Sequence, residues 1–351
     1  MIRERKTKSD FFGTHQVRDS KKTLPQSAES LDSSLPIYSN EILIEVERLN
    51  IDAASFVQME QQTGGNKEKI AEIILENCHT RGKQQNRVTG SGGMLVGTVK
   101  QIGSRYQGAL KLKQGDRVAT LVSLTLTPLH LESIRNIDLK THQIEATGHA
   151  ILFESGIAAK LPKNLPEKLA MALFDVAGAP ALVHDTLRKN QSLLVIGAGG
   201  KAGTLSCAAG RQKVGRHGKV YGIERNPVLA KELKSLSICD EVWSIDATDA
   251  LAVHKLVEKT TRGKMIDVVI NVASVPNTEV SALVSAHKSG KIIFFSMATS
   301  FTKVTLGAEG IGTSAQLLFG NGYFPNHSDF VVALVTKQPR LERLFRKRYD
   351  H

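Results

Sequence analysis

The run Ser192-Leu193-Leu194-Val195-Ile196, continued by Gly197-Ala198-Gly199-Gly200-Lys201-Ala202-Gly203, constrains this chain more than any other stretch. An apolar segment of strand length meets a cluster of glycines, and residues 204–212 carry on in helix-compatible side chains. Strand, glycine turn and helix in that order make the unit that cradles the diphosphate of a dinucleotide. Gly197 is expected to form the tight turn. Gly199 is expected to bring backbone against the phosphates, with no Cβ in the way. Gly200 and Lys201 start the helix, whose free N–H groups and positive dipole end favour an anion. Ala202 occupies the third small position, where helix and strand should pack closely. A second strand, Lys219-Val220-Tyr221-Gly222-Ile223, ends on Glu224, an acidic side chain placed to accept from the hydroxyls of an adenosine ribose. An ordinary strand-to-helix turn is the bland alternative, but turn, spacing and acidic residue agree on a dinucleotide. Glu224 would repel a 2′-phosphate and favours NAD; the adjacent Arg225 would hold one and keeps NADP open.

Composition sets the class around that motif. A chain of 351 residues that is 41% hydrophobic has room for two domains with substantial cores. It contains no run near the ~20 apolar residues that a membrane span requires. The N-terminus Met1-Ile2-Arg3-Glu4-Arg5-Lys6 lacks the apolar core of a signal peptide. Cys78, Cys207 and Cys239 are scattered, with no Cys-x-x-Cys. That argues against a disulfide framework or a structural zinc knuckle, and for a reducing, cytoplasmic setting. The net charge of +12 raises the question of nucleic acid. Basic residues gather at the two ends, however: Arg3, Arg5, Lys6 and Lys8, then Arg340, Arg343, Arg346, Lys347 and Arg348. In the tail they share a segment with Leu341, Leu344 and Phe345 at helical spacing, which reads as an amphipathic helix with a solvated basic face. Aromatics make up only 5% of the chain and no nucleic-acid module is present, so neither nucleic acid nor a membrane is expected as a partner.

Along the chain, residues 1–35 are polar and rich in Ser and Lys, and read as an irregular arm. Alternation in Glu41-Ile42-Leu43-Ile44-Glu45-Val46-Glu47 predicts a strand, and residues 50–56 a loop entering a helix. Residues 67–78, with Ile70, Ile73, Ile74 and Cys78 on one face, predict an exposed helix. Glycine-rich residues 89–93 lead into a strand through Val99. Residues 112–119 read as a turn into another strand continuing to Val122. Residues 126–134 mix turn and helix signals, and residues 150–153 and 158–162 are short strands around Glu154-Ser155-Gly156. Many short strands with glycine turns suggest a barrel-like β domain. After Pro166 the pattern changes. Residues 167–174 and 181–187 are helical, and strands at 193–196, 219–223, 241–245, 267–271 and 291–295 alternate with helices. That is the pattern of a Rossmann-type, doubly wound parallel sheet. A strand at 317–320, a helix at 329–336 and the basic tail follow. The expected fold is α/β: a β-rich domain over residues 1–165, a dinucleotide domain over 166–324, and a helical return to the first domain over 325–351.

That domain order, with the glycine run at 197–203 and Leu112-Lys113-Gln114-Gly115-Asp116-Arg117-Val118, resembles the medium-chain dehydrogenase/reductase superfamily over all of the chain after the arm. The resemblance implies a GroES-like substrate domain and a homo-oligomer, dimer or tetramer. Zinc members of that superfamily carry a cysteine where this chain has Ala53-Ala54-Ser55, and a Gly-His-Glu where it has Gly90-Ser91-Gly92. No catalytic zinc is therefore expected. More specific segments run from end to end. They are Phe12-Gly13-Thr14-His15, Asn50-Ile51-Asp52, Thr89-Gly90-Ser91-Gly92-Gly93-Met94-Leu95, Asp175-Val176-Ala177-Gly178-Ala179-Pro180, Val275-Pro276-Asn277-Thr278-Glu279 and Phe294-Phe295-Ser296-Met297-Ala298-Thr299-Ser300-Phe301-Thr302-Lys303. These are similar to the L-erythro-3,5-diaminohexanoate dehydrogenase family. The likeness implies NAD(P)-dependent oxidative deamination of a diamino acid to 5-amino-3-oxohexanoate and ammonium, a step of lysine fermentation. A zinc-free, NADPH-dependent quinone or enone reductase of the same superfamily is the alternative, and a non-catalytic NAD-binding sensor is a third reading.

Deamination makes demands on side chains. The amine must be neutral before its carbon gives up a hydride, so a base has to accept a proton and later activate water. Anionic groups should hold the second ammonium, and donors the carboxylate. Asp52 lies in the loop that carries the metal ligand in zinc relatives and is a candidate base by that analogy; it is also a natural cap for a helix starting near Ala53. Asp175, ahead of the helix that enters the cofactor domain, is a candidate base or an ion-pair partner. Glu154 either holds the distal ammonium or is a solvated turn carboxylate. Ser55 and Ser91 are candidates for binding substrate, with turn shaping the alternative for Ser91 and Thr89. Asn271 ends one strand of the cofactor sheet, and Ser296 and Met297 the next, so their backbone groups are expected at the nicotinamide ribose and carboxamide. Asn277 and Glu279 either cap the following helix or reach the site. Lys303 is the cationic candidate to pair with the substrate carboxylate or act as a base, against the plain alternative of a surface lysine.

Overall fold

The computed structural model describes residues 4–19, 23–121 and 123–350. Val122, the expected end of a strand, lies outside them, as do residues 1–3 and 20–22 of the expected arm. The chain divides into two compact units, Met1–Glu167 and Lys168–His351.

In the first unit β1 (Ile42–Asn50) is followed by α1 (Ala53–Thr63), α2 (Lys67–Arg81), β2 (Met94–Ile102), β3 (Arg117–Thr120), β4 (Leu129–Asp138), β5 (Gln143–Leu152) and β6 (Ala158–Lys160). The strands form one six-stranded antiparallel sheet in the order β4-β5-β1-β2-β3-β6. Ile42, Ile44 and Val46 share a face of β1, and a bulge between Val46 and Arg48 brings Leu49 back to it. That face packs with Leu95 and Val99 of β2, Phe56 and Met59 of α1, and Ile70, Ile74 and Cys78 of α2.

Three stretches of this unit differ from expectation. Residues 129–138 form a strand rather than a turn-helix mixture. Leu129, Leu131 and Ile137 are buried, but register shifts between Leu131 and Ser133 and between Ile134 and Asn136 break the two-residue period that signals a strand. β5 begins at Gln143 rather than at 150, its first half held by pairing to β1 and β4. The N-terminal segment is irregular but packed: Val17, Ala28 and Leu31 make a small core, and the Leu31 N–H donates to the Arg81 carbonyl.

The second helical stretch of sequence opens with α3 (Glu167–Phe174) and α4 (Gly178–Thr186). Then come β7 (Ser192–Ile196), α5 (Lys201–Val214), β8 (Lys219–Ile223), α6 (Pro227–Ser235), β9 (Glu241–Trp243), α7 (Ala250–Thr261), β10 (Ile266–Asn271), α8 (Glu279–Ser285), β11 (Ala286–Phe294), α9 (Phe301–Ile311), β12 (Gln316–Phe319), α10 (His327–Thr336) and α11 (Pro339–Tyr349). The six strands are parallel, in the order β12-β11-β10-β7-β8-β9. This is the doubly wound sheet the sequence predicts, and strand order reverses between β7 and β10. Helices cover its strands, which is why β7 and β10 are near-continuous apolar runs.

Residues 325–351 stay within this unit, contrary to the expected return to the first domain. Val331, Leu334 and Val335 are buried on α10, which packs on α4 and α5, and α11 follows on α10 with Leu341, Leu344 and Phe345 buried. Among the described residues no helix is long and apolar enough to cross a membrane.

Candidate functional site

A crevice of about 500 Å³ opens at the carboxyl end of the parallel sheet, lined by Gly197, Gly200, Glu224, Arg225, Asp246 and Ala273 among others. Open α/β sheets bind ligands at this point, where strand order reverses. Gly197 has φ +83°, and a Cβ there would stand 2.8 Å from the Ala273 Cα. Glycine is needed at 197 for both reasons. At Gly199 a Cβ would stand 2.6 Å from the Leu229 Cβ and 2.7 Å from the Glu224 Cγ, so the protein's own packing already excludes a side chain. Open space lies beside Gly200, whose Cβ would meet only the Gly197 oxygen at 3.6 Å. Close packing of helix on strand falls at Gly203, not at the expected Ala202: a Cβ on Gly203 would collide with the Gly197 carbonyl. Gly200 caps α5 without a side-chain bond, so the first-turn N–H groups of α5 are left for an acceptor from outside. These features fit the diphosphate of a dinucleotide.

Glu224 accepts from the N–H of Gly199 (3.0 Å) and from that of Asn226 (2.8 Å). Its carboxylate is thereby oriented at the mouth of the crevice, and each oxygen keeps a lone pair for a ribose hydroxyl. Arg225 is exposed and lies 3.4 Å from Asp246. Lys201 donates to Asp175 at 2.6 Å. Burial works against the Lys201 ammonium, yet Asp175 beside it holds its pKa above the usual lysine value. Asp175, expected as a possible base, is thus half of an ion pair.

In the first unit the residues at the expected metal-ligand positions form a hydroxyl–carboxylate cluster. Asp52 caps α1, its Oδ1 accepting the Ser55 N–H at 3.0 Å. Its Oδ2 accepts the Ser91 hydroxyl at 2.8 Å. Ser55 Oγ lies 2.8 Å from Ser91 Oγ and 2.6 Å from Thr89 Oγ1, and Thr89 lies 3.1 Å from Ser91. A carboxylate only accepts, so Ser91 must donate to Asp52, and its oxygen is left to accept from Ser55 or Thr89. Asn86 fixes the loop: its Oδ1 accepts from the N–H groups of Val88 and Thr89, and its Nδ2 donates to the Ser55 carbonyl. Ser55 is fully buried inside this network and so does not face a ligand, contrary to its expected substrate role. Ser91 and Asp52 are half-buried.

The other expected residues scatter. Glu154 is neither a solvated turn carboxylate nor an open ammonium site. It is buried, and its oxygens are taken by Asn40 (3.1 Å), the Gln107 N–H (3.0 Å) and Lys8 (3.3 Å). Burial alone would raise its pKa; Asn40, Gln107 and Lys8 together hold it below the usual carboxylate value. Asn271 is buried and closes its own turn, donating to Thr278 Oγ1 (2.8 Å) and accepting from the Ala273 N–H (3.2 Å), while its carbonyl accepts from Phe295. Its side chain is therefore engaged within its own turn rather than turned to a ligand. Ser296 accepts from the Ala298 N–H, and Met297 is exposed. Lys303 is exposed in the first turn of α9 and donates to Asn277. Glu279 ties that turn down through the Ser300 N–H at 2.8 Å.

Residues 15–162 match the family described as L-erythro-3,5-diaminohexanoate dehydrogenase N-terminal domain. The L-erythro-3,5-diaminohexanoate dehydrogenase of Acetoanaerobium sticklandii is 43% identical over 338 residues, which span 96% of this chain and 98% of the relative. The chain belongs to the L-erythro-3,5-diaminohexanoate dehydrogenase family. The relative of that name from Fusobacterium nucleatum subsp. nucleatum is 44% identical over 338 residues, again 96% of this chain and 98% of the relative. Among solved structures, the alcohol dehydrogenase of Thermus sp. ATN1 superposes with a TM-score of 0.56 at 16% identity, covering 90% of this chain and 87% of that one. This diaminohexanoate dehydrogenase family member therefore has the medium-chain dehydrogenase fold.

In this family member, sequence reasoning passes over three residues that shape this crevice and its glycine turn. Asn226 caps α6 through the N–H groups of Val228 and Leu229, and the pair Asn226-Pro227 is a readable start signal. Gly203 stands one residue beyond the usual third small position. Arg348 reaches the Gly199 carbonyl at 3.0 Å from far along the chain, where only its spacing from Leu344 and Phe345 hints that it faces inward.

Proposed function

We propose that this protein is a nicotinamide-dependent amine dehydrogenase that converts L-erythro-3,5-diaminohexanoate to 5-amino-3-oxohexanoate. The observation that carries the reading is identity of 43% and 44% over 96% of the chain to enzymes of that name. The reaction balances as substrate ammonium, oxidised nicotinamide and water giving ketone, ammonium ion, reduced nicotinamide and a proton. The nicotinamide supplies the hydride acceptor. Every other demand falls on the chain's own groups. Gly200 and the first turn of α5 take the diphosphate. Glu224 takes the ribose hydroxyls and, being anionic, favours NAD over NADP. Asp52 accepts the proton that must leave the substrate ammonium, and Ser91, donating to it, is the hydroxyl through which that proton travels or against which the amine rests. No metal is assigned a part: Ala53-Ala54-Ser55 and Gly90-Ser91-Gly92 stand where zinc relatives carry thiolate and imidazole, and serine hydroxyls are poor zinc ligands.

The test is direct. Purified protein incubated with the diamino acid and NAD should release reduced cofactor and ammonium in equal amounts, more slowly with NADP. Replacing Glu224 by Ser should move preference toward NADP by about tenfold, the scale of one lost charge-assisted contact. Neither product with either cofactor would end the proposal; an unmoved preference in Glu224→Ser would remove that residue from the ribose site.

A further inference from the structure

We propose that Arg348, in the last turn of α11, is a positioning residue for the dinucleotide: it fixes the glycine turn against which the diphosphate binds, and so makes the C-terminal helix part of the cofactor site. The inference rests on reading that turn as the cofactor site.

The sequence of α11 places Arg348 four residues beyond Leu344 and three beyond Phe345, on the face that the helix buries. Its side chain is only 13% exposed. The guanidinium is shared between two partners. Nε and Nη2 donate to Glu232 of α6 at 3.1 and 2.6 Å, and Nη1 donates to the Gly199 carbonyl at 3.0 Å. Lys347 reaches the other oxygen of Glu232 at 2.9 Å. Lys347 and Arg348 hold the Glu232 carboxyl below its usual pKa, so the anchor stays ionised. Tyr349, one residue on, sets its ring 5.8 Å from the Lys201 ammonium. The end of α11 therefore touches both residues that flank Gly200.

Gly199 is held at both of its polar groups. Its N–H donates to Glu224 and its carbonyl accepts from Arg348, with Thr204 Oγ1 adding a longer contact at 3.3 Å. In a trans peptide the carbonyl of Gly199 and the N–H of Gly200 point opposite ways. Drawing the carbonyl toward Arg348 thus fixes the Gly199–Gly200 peptide, whose N–H turns back to the Gly197 carbonyl at 3.4 Å, and with it the turn that leads into α5. Glycine has no side chain to hold it there, and a free glycine turn would lose much conformational entropy on gripping a ligand. Arg348 removes part of that loss in advance.

The experiment is calorimetric titration of the full chain with NAD and with NADP. Wild type is compared with Arg348→Ala, Arg348→Lys and Arg346→Ala. Arg346 lies on the same helix but, among the described residues, pairs with Glu342 and Asp350 instead. Arg348→Ala should weaken binding about tenfold, the value of one charge-assisted hydrogen bond. In turnover the loss should show in the cofactor KM and not in kcat. Arg348→Lys, which can still donate to the carbonyl, should recover part of the affinity, and Arg346→Ala should bind as wild type does. Undiminished affinity in a folded Arg348→Ala overturns the proposal, as does an equal loss in Arg346→Ala. If Arg348→Ala melts far below wild type, Glu232→Gln takes its place: it keeps an acceptor but loses the anchoring charge, and unchanged affinity there is equally fatal. Wild type that binds neither nucleotide would instead reject the cofactor reading itself, whatever Arg348 does.

Discussion

Asp52 divides its carboxylate between two tasks, and the two can be separated by a single atom change. Oδ1 caps α1 and Oδ2 takes the Ser91 hydroxyl. Asparagine caps helices about as well as aspartate, whereas alanine would cost about 1 kcal/mol. Asp52→Asn therefore keeps the cap and removes the charge. If Asp52 accepts the proton from the substrate amine, this variant should melt within a few degrees of wild type while kcat falls about 100-fold or more, the usual worth of a positioned base. A folded Asp52→Asn with wild-type kcat would leave Asp52 as a cap alone. The other candidate carboxylates show why position in the sequence was a poor guide to this role. Glu154 and Asp175 both lie close to glycines in the sequence, but each has found cationic company within the protein: Lys8 for one, Lys201 for the other. Such partnerships join residues 146 and 26 positions apart (154 − 8 and 201 − 175), and no local pattern announces them.

At the scale of elements, what could be read in advance follows from where the stabilising contacts lie. The unit β7-α5-β8 was legible because its strand is buried on both sides, its turn must be glycine, and its acidic residue follows at a set distance. β4 and the start of β5 were not, because bulges interrupt their alternation and pairing to neighbours holds them. The N-terminal segment was opaque for a related reason: side chains from distant elements organise it. Glu41 accepts from His15 and from the Tyr38 N–H, and Lys83 donates to the carbonyls of Pro25 and Gln26, both at 3.2 Å. Lys83 is fully buried, and burial, with a smaller push from Arg81, lowers its pKa from 10.5 to about 8. Between those two values the unfolded chain holds a proton that the folded chain does not, so stability rises with pH across that window and is lowest below it. Relative to Lys83→Met, which cannot titrate, wild type should gain about 2 kcal/mol between pH 8 and pH 10. Denaturant melts of both proteins at pH 8, 9 and 10 measure it. A gap that stays constant would mean that the Lys83 amine keeps its proton throughout.

At the scale of the whole molecule, the parallel sheet leaves an edge to be accounted for. β12 pairs with β11 on one side, and among the described residues no strand pairs with its other side. Phe319 of β12 is 47% exposed and Phe301 beside it 65% exposed, their rings 5.5 Å apart. Unpaired edges with apolar neighbours are normally blunted by charge or covered, and here β12 carries no charged residue. We propose that a second copy of the chain covers this edge, which gives physical content to the homo-oligomer that the superfamily resemblance implies. Each chain carries a net charge of +12, so two copies repel at long range and the apolar contact must offset that. The assembly should therefore tighten as salt is raised from low ionic strength and the repulsion is screened, opposite to what an interface held by ion pairs would do. Light scattering should give a mass about twice the 38.2 kDa of one chain, or a higher even multiple. Phe319→Glu should halve it, whereas Leu251→Glu, at an exposed apolar residue of α7, should not. A wild-type mass of 38.2 kDa at micromolar concentration, or dissociation by Leu251→Glu as readily as by Phe319→Glu, would show that the β12 edge does not hold the copies together.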